Sequence, residues 1–171
     1  KILEMGPDGV IFPMVKSADE VRELISMTLY PPHGTRGFGP LRAIGYGALD
    51  AKDYVTRGSL DMLRFVQIEH IDMIDNLEEI INIPYIDGFI LGLADLSGSI
   101  GEFLNVFGEA TMSKIKYASA YLKERGKCVG LAGGATDYEI ETWSEFGLDM
   151  LFSGADWCFV YGKGKETLEK M

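Results

Sequence analysis

Cysteine and histidine are scarce: 171 residues contain two of each. Cys128 and Cys158 form no Cys-x-x-Cys pair, and His33 and His70 lack metal-ligand spacing, so neither a zinc site nor a disulfide framework is expected. The two thiols read as apolar filler and suit a reducing, cytoplasmic setting. Basic residues are also few, 16 Lys and Arg against 26 Asp and Glu, for a formal net charge of −10. Such a surface repels polyphosphate and argues against a nucleic-acid partner. No apolar run reaches the roughly 18 residues a spanning helix needs. Residues 1–6 lack the hydrophobic stretch of a signal peptide, so no membrane partner is expected.

What is present is a 47% hydrophobic content, enough to build one sizeable core in a single domain. Short β-branched or apolar runs alternate with longer amphipathic stretches, the pattern of βα units around a parallel sheet. Strands are expected at residues 9–15, 65–69, 88–92, 128–132 and 150–153. Helices are expected at 18–29, 49–63, 73–82, 113–125 and 137–146. Ser17 with Glu20 reads as a helix start, and Gly126 and Gly147 as stops. Residues 30–40 hold three of the six prolines together with Gly34, Gly37 and Gly39, and are expected to form a surface loop. The first residues read as a helix end and a turn into a strand, as though the chain opened inside a domain. Five βα units are fewer than the eight of a closed barrel, so residues 1–171 are expected to be one partial (β/α)₈ barrel domain lacking its N-terminal third. A five-stranded open α/β sheet is the structural alternative.

Two apolar strands end in acids. Residues 65–69 close with Gln67 and Glu69, which share a face because side chains two apart point the same way. The run from Phe89 breaks at Asp95. Adjacent parallel strands lie about 4.8 Å apart, so carboxylates at neighbouring C-terminal ends can reach one cation. Two hard oxygen ligands without a nearby thiol suit Mg²⁺ or Mn²⁺ with open positions for substrate. Each acid could equally be a helix N-cap or first-turn charge. Ser97 lacks a nucleophile-elbow context and reads as a turn cap. His70 reads as a packing or surface residue, and His33 as solvated. Gly130, Gly133 and Gly134, with residues 153–156, could form a barrel phosphate site or simply permit tight turns. Asp156 could cap a final helix.

The ordered set Gly9-Val10-Ile11-Phe12-Pro13-Met14-Val15, Tyr30-Pro31-Pro32 with Gly34, Arg36-Gly37 and Arg42-Ala43, Val66-Gln67-Ile68-Glu69, and Gly92 with Ala94-Asp95-Leu96-Ser97 resembles the HpcH/HpaI aldolase and citrate lyase family. The resemblance implies a (β/α)₈ barrel, commonly assembled as a homo-oligomer and often a hexamer. It implies divalent-metal-dependent aldol addition, or retro-aldol cleavage of a 4-hydroxy-2-oxo acid into pyruvate or a related 2-oxo acid and an aldehyde, through a metal-stabilised enolate. By resemblance Glu69 and Asp95 hold the metal, Mg²⁺, Mn²⁺ or Co²⁺. Gln67 contacts the oxo acid, and the backbone amides around Ala94 and Asp95 receive its carboxylate. The catalytic arginine and histidine of the family lie on early strands that this chain does not contain, so the general base is unassigned. Leu93 stands where aldolase members commonly carry proline, and Ala132-Gly133-Gly134 is unusually small. A citryl- or malyl-CoA-type lyase and a non-catalytic barrel fragment are the alternatives.

Overall fold

A computed structural model describes residues 1–134 and 136–171. After a 3₁₀ turn at Ile2–Met5, β1 (Gly9–Phe12) leads to α1 (Ala18–Thr28). A loop and a second 3₁₀ turn (Gly45–Gly47) precede a helical stretch of α2 (Ala51–Asp53), a π turn (Tyr54–Gly58) and α3 (Ser59–Asp61). There follow β2 (Leu63–Ile68), α4 (Ile71–Asp75), α5 (Leu77–Ile80), β3 (Gly88–Gly92) and α6 (Leu93–Ser99). The chain continues through α7 (Glu109–Glu124), β4 (Cys128–Gly133), α8 (Asp137–Ser144), β5 (Met150–Ser153) and α9 (Asp156–Glu169). No helix among the described residues is long and apolar enough to cross a membrane.

All four strand pairings are parallel, and the order across the sheet is β1-β2-β3-β4-β5. A doubly wound sheet reverses its strand order at a switch point, and this one does not. The sequential order is that of a barrel wall, which sets aside the open-sheet alternative. One face of the sheet, with Val66, Ile68, Phe89, Leu91, Val129 and Leu131, packs in a single buried cluster with residues of α1, α4, α5, α6, α7 and α8. The registers Gln67↔Ile90↔Gly130↔Met150 and Gly92↔Ala132↔Phe152 put the alternate residues in layers on the other face.

Local sequence accounts for the boundaries. Ser17 accepts from Glu20 N at the start of α1, while the Glu20 carboxylate takes Lys16 N. Gly126 and Gly147, with φ of 67° and 63°, follow α7 and α8 as left-handed stops. Thr136 and Glu139 complete a capping box on α8. The expected helix over 73–82 is broken at Asn76, which leaves the helical region (φ −108°, ψ 15°).

A recurring device pins the sheet at the N-terminal ends of its strands. Asp87, one residue before β3, accepts Arg64 N at 2.7 Å, and its own N–H donates to Arg64 O. Asp149, one residue before β5, does the same with Val129 of β4, and it also accepts from Lys123 Nζ at 2.6 Å. Each aspartate locks the register of one strand pair.

The loop after Tyr30 belongs to this same end. Thr35 N and Arg36 N donate to Ser26 O and Leu29 O, and His33 bonds the Tyr85 hydroxyl ahead of β3. Arg36 is buried, pairs with Glu4 at 3.2 Å, and lies 4.5 Å from the centre of the Tyr30 ring. Gly34 is obligatory, since a Cβ there would stand 2.2 Å from Ser26 O.

Candidate active site

Glu69 follows the last residue of β2, on the face that carries Gln67 and away from the helix-packed core. Its residue surface is only 2% exposed. A buried carboxylate needs partners, and it has two. The backbone N–H of Met14, just past β1, donates to Oε1, and Gln67 Nε2 donates to Oε2 at 2.5 Å. Met14 adopts a left-handed conformation, φ 57°, in the turn that delivers this amide. Each carboxylate oxygen has lone-pair capacity beyond its one hydrogen bond.

Asp95 lies in the first turn of α6 and is exposed. The apolar run from Phe89 is thus strand only to Gly92 and helix from Leu93, and Asp95 stands on the helix rather than at the strand end. Continuous apolarity hid that transition, because a buried strand and a buried helix look alike over so few residues. The two acids are nonetheless close enough to feel each other. Burial pushes the Glu69 carboxyl above its usual range, and the Asp95 charge adds to the rise, against the lowering effect of the Met14 and Gln67 donors. A buried carboxylate opposed by a like charge is a site that a cation would relieve.

The donors present are hard oxygens, which fit Mg²⁺ or Mn²⁺. Among the described residues no group of three or more His, Cys, Asp or Glu side chains converges. A cation held here would therefore have two protein ligands and complete its shell with water or substrate oxygens. The N-cap position of α6 is Gly92, with no side-chain cap, so the first amides of the helix, around Ala94 and Asp95, are free of intrahelical partners.

The remaining candidates are placed as follows. His70 is the N-cap of α4, its Nδ1 accepting from Asp72 N. Ser97 is fully buried, donating to Ala94 O and accepting from Leu104 N, so it ties α6 to the following loop. Gly130 and Gly133 are explained by packing, since Cβ atoms there would meet Phe152 and Met150, and Leu131 and Trp143, respectively. Asp156 opens α9 and accepts from Trp157 N. Both cysteines are half-buried rather than fully enclosed, and burial raises the Cys128 thiol.

Gly92 and Met14 stand among the residues that carry the family resemblance, but neither has a role legible in sequence, and both border Glu69. A Cβ on Gly92 would stand 2.6 Å from Gln67 Nε2 and 2.8 Å from both Cβ and Oε2 of Glu69. The place of Gly92 opposite Glu69, one residue beyond the Ile68↔Leu91 pair, comes from the strand register.

The model of the family described as HpcH/HpaI aldolase/citrate lyase matches residues 1–133. A hydroxypyruvate/pyruvate aldolase of Roseovarius nubinhibens is 29% identical over 170 residues, covering 99% of this chain and 66% of that protein. A 2-keto-3-deoxy-L-rhamnonate aldolase of Escherichia coli is 33% identical over 139 residues, covering 80% of this chain and 51% of that protein. The chain thus spans between about half and two thirds of the length of these relatives. An HpcH/HpaI aldolase/citrate lyase family protein of Burkholderia cenocepacia superimposes with a TM-score of 0.88 at 25% identity, covering 98% of this chain and 66% of that one. An HpcH/HpaI aldolase of Desulfitobacterium hafniense gives 0.84 at 24% identity, over 99% and 67%. Five parallel strands in sequential order, overlaid on those structures, are consecutive units of a (β/α)₈ barrel. This chain belongs to the HpcH/HpaI aldolase/citrate lyase family.

Proposed function

We propose that these residues form the cation and 2-oxo acid site of a class II aldolase, which cleaves a 4-hydroxy-2-oxo acid to pyruvate, or a related 2-oxo acid, and an aldehyde. The observation that carries the reading is the buried Glu69 carboxylate, held from two sides and raised in pKa beside Asp95, at the C-terminal ends of parallel strands where barrel enzymes work. Two relatives named as aldolases of 2-oxo acids support the substrate class.

A divalent cation, when bound, supplies positive charge to the carboxylate and keto oxygens of a 2-oxo acid and so acidifies the adjoining methyl group. Glu69 and Asp95 are the residues that would hold it. Gln67 orients Glu69 through Nε2 and keeps its second amide hydrogen and its carbonyl oxygen available to the oxo acid. The amides around Ala94 and Asp95 receive the substrate carboxylate. In the cleavage direction the 4-hydroxyl gives its proton to a base, the bond between C3 and C4 breaks as the aldehyde forms, its electron pair stays with the 2-oxo fragment, and C3 then takes up a proton to become the methyl group of pyruvate. The general base is not assigned to a residue of this chain.

The test is exchange of the pyruvate methyl protons in D₂O, followed by proton NMR with and without a chelator. Loss of the methyl signal should require Mg²⁺ or Mn²⁺ and should disappear in Glu69→Gln and in Asp95→Asn. Exchange that persists in the presence of chelator would point to Schiff-base chemistry and overturn the reading.

A further inference from the structure

Gly92 is an unusual place for a glycine. It ends β3, all five residues of which are buried, and its backbone is extended, φ −103° and ψ 103°. Any L-residue adopts that conformation, so glycine is not needed for backbone freedom. Its cost in a strand is real, because it contributes no side chain to pack. The other glycine of the strand, Gly88, is explained by crowding, since its Cβ would meet the Phe65 ring and the Cys128 backbone. At Gly92 the three nearest atoms are Gln67 Nε2, Glu69 Cβ and Glu69 Oε2, at 2.6, 2.8 and 2.8 Å. The missing Cβ is the space that these two side chains occupy. Gln67 Nε2 ends a flexible chain and could swing aside. Glu69 Cβ is one bond from the backbone and cannot.

On the opposite side Glu69 meets the Met14 amide, delivered by a left-handed residue that is not glycine. Non-glycine residues pay for that conformation, so the turn is held by its surroundings. The carboxylate is thereby bounded by the Gly92 gap, by Gln67 and by the Met14 N–H.

We propose that Gly92 and the backbone amide of Met14 are positioning elements that hold Glu69 in its cation-facing rotamer. The proposal rests on the metal site of the reading above and goes beyond it in assigning two positions that bind neither metal nor substrate. Such outer contacts typically tune metal affinity by roughly 10–100-fold.

The experiment is Mn²⁺ titration of the full-length protein, reading free Mn²⁺ by electron paramagnetic resonance, beside circular dichroism and the metal-free Tm. The backbone at Gly92 suits alanine, so the strain of Gly92→Ala falls on Glu69, and the variant should weaken Mn²⁺ binding about tenfold or more. A merely structural role would lower Tm and leave the Kd unchanged. Folded Gly92→Ala that binds Mn²⁺ as tightly as the parent overturns the proposal. Should that variant not fold, replacement of the Met14 residue by its 2-hydroxy acid analogue decides. This changes the amide to an ester, removing the donor while keeping the side chain. A weakening of about tenfold supports the cradle, and unchanged affinity sinks it. Glu69→Gln is the control: if it binds Mn²⁺ like the parent, the metal site itself is wrong, which is a different failure from an inert Gly92.

Discussion

At Glu69, burial and the Asp95 charge oppose ionisation while the Met14 and Gln67 donors favour it, and the opposing effects prevail. A carboxyl whose folded pKa lies above its unfolded value binds its proton more tightly in the folded state. Its contribution to stability is present at low pH and falls as pH rises from the ordinary carboxylate range through the raised folded pKa. In metal-free protein, raising the pH from about 4 to about 7 should therefore cost stability at this residue. Glu69→Gln should remove that component and raise the metal-free Tm at neutral pH. It should also abolish the rise in Tm that Mn²⁺ gives the parent through mass action. Thermal unfolding of both proteins across that pH range, with and without Mn²⁺, is the measurement, and an unchanged pH profile in the variant would contradict the assignment. Glu69 and Gln67 were legible in sequence because period two puts them on one face of an apolar strand. The Met14 amide was not, because a backbone donor leaves no mark in side-chain identity.

Elements are joined here by polar side chains buried at the ends of strands. Arg64 is 1% exposed, and among the described residues no carboxylate lies within bonding distance of its guanidinium. Its N–H groups donate instead to Ser59 O, Leu60 O and Met62 O, the last carbonyls of the helical stretch before β2, and to the Thr28 hydroxyl at the end of α1. Arg64→Met would fill similar volume while leaving those carbonyls unpaired, and should destabilise by about 3 kcal/mol in urea unfolding. Asp149→Asn should cost less, about 1 kcal/mol, because its pair with Lys123 is partly solvated. The Lys123 and Val129 donors lower the Asp149 carboxyl, so its contribution holds above the ordinary carboxylate range and is lost as pH falls through the depressed folded pKa. Parent and Asp149→Asn stabilities should converge in acid, and a constant gap would refute that account. Periodicity and caps revealed most elements, and β3 and β5 lie where the residue pattern put them. It missed α6, whose sequence Leu93-Ala94-Asp95-Leu96-Ser97-Gly98-Ser99 follows β3 with no polar break.

Across the whole molecule, protection should follow position in the sheet. β3 is paired on both sides and wholly buried, whereas β1 and β5 are the terminal strands of the sheet and α9 has no buried residue. Hydrogen exchange read by mass spectrometry should therefore find β3 amides slowest, β1 and β5 faster, and α9 fastest of the long helices. A protected α9 would show that it has a partner surface. Residue pattern by itself determined the βα rhythm, the parallel sheet and the shared face of Gln67 and Glu69, because alternation and capping act over a few neighbouring residues. Only the tertiary structure decided that Asp95 rides on a helix, that the loop after Tyr30 sits at the end of the sheet away from Glu69, and that Gly92 and Met14 close around that carboxylate. Those facts depend on strand register and on turns that bring residues 14, 69 and 92 together. Contacts between residues so distant along the chain are set by the packing of whole elements, which no local pattern encodes.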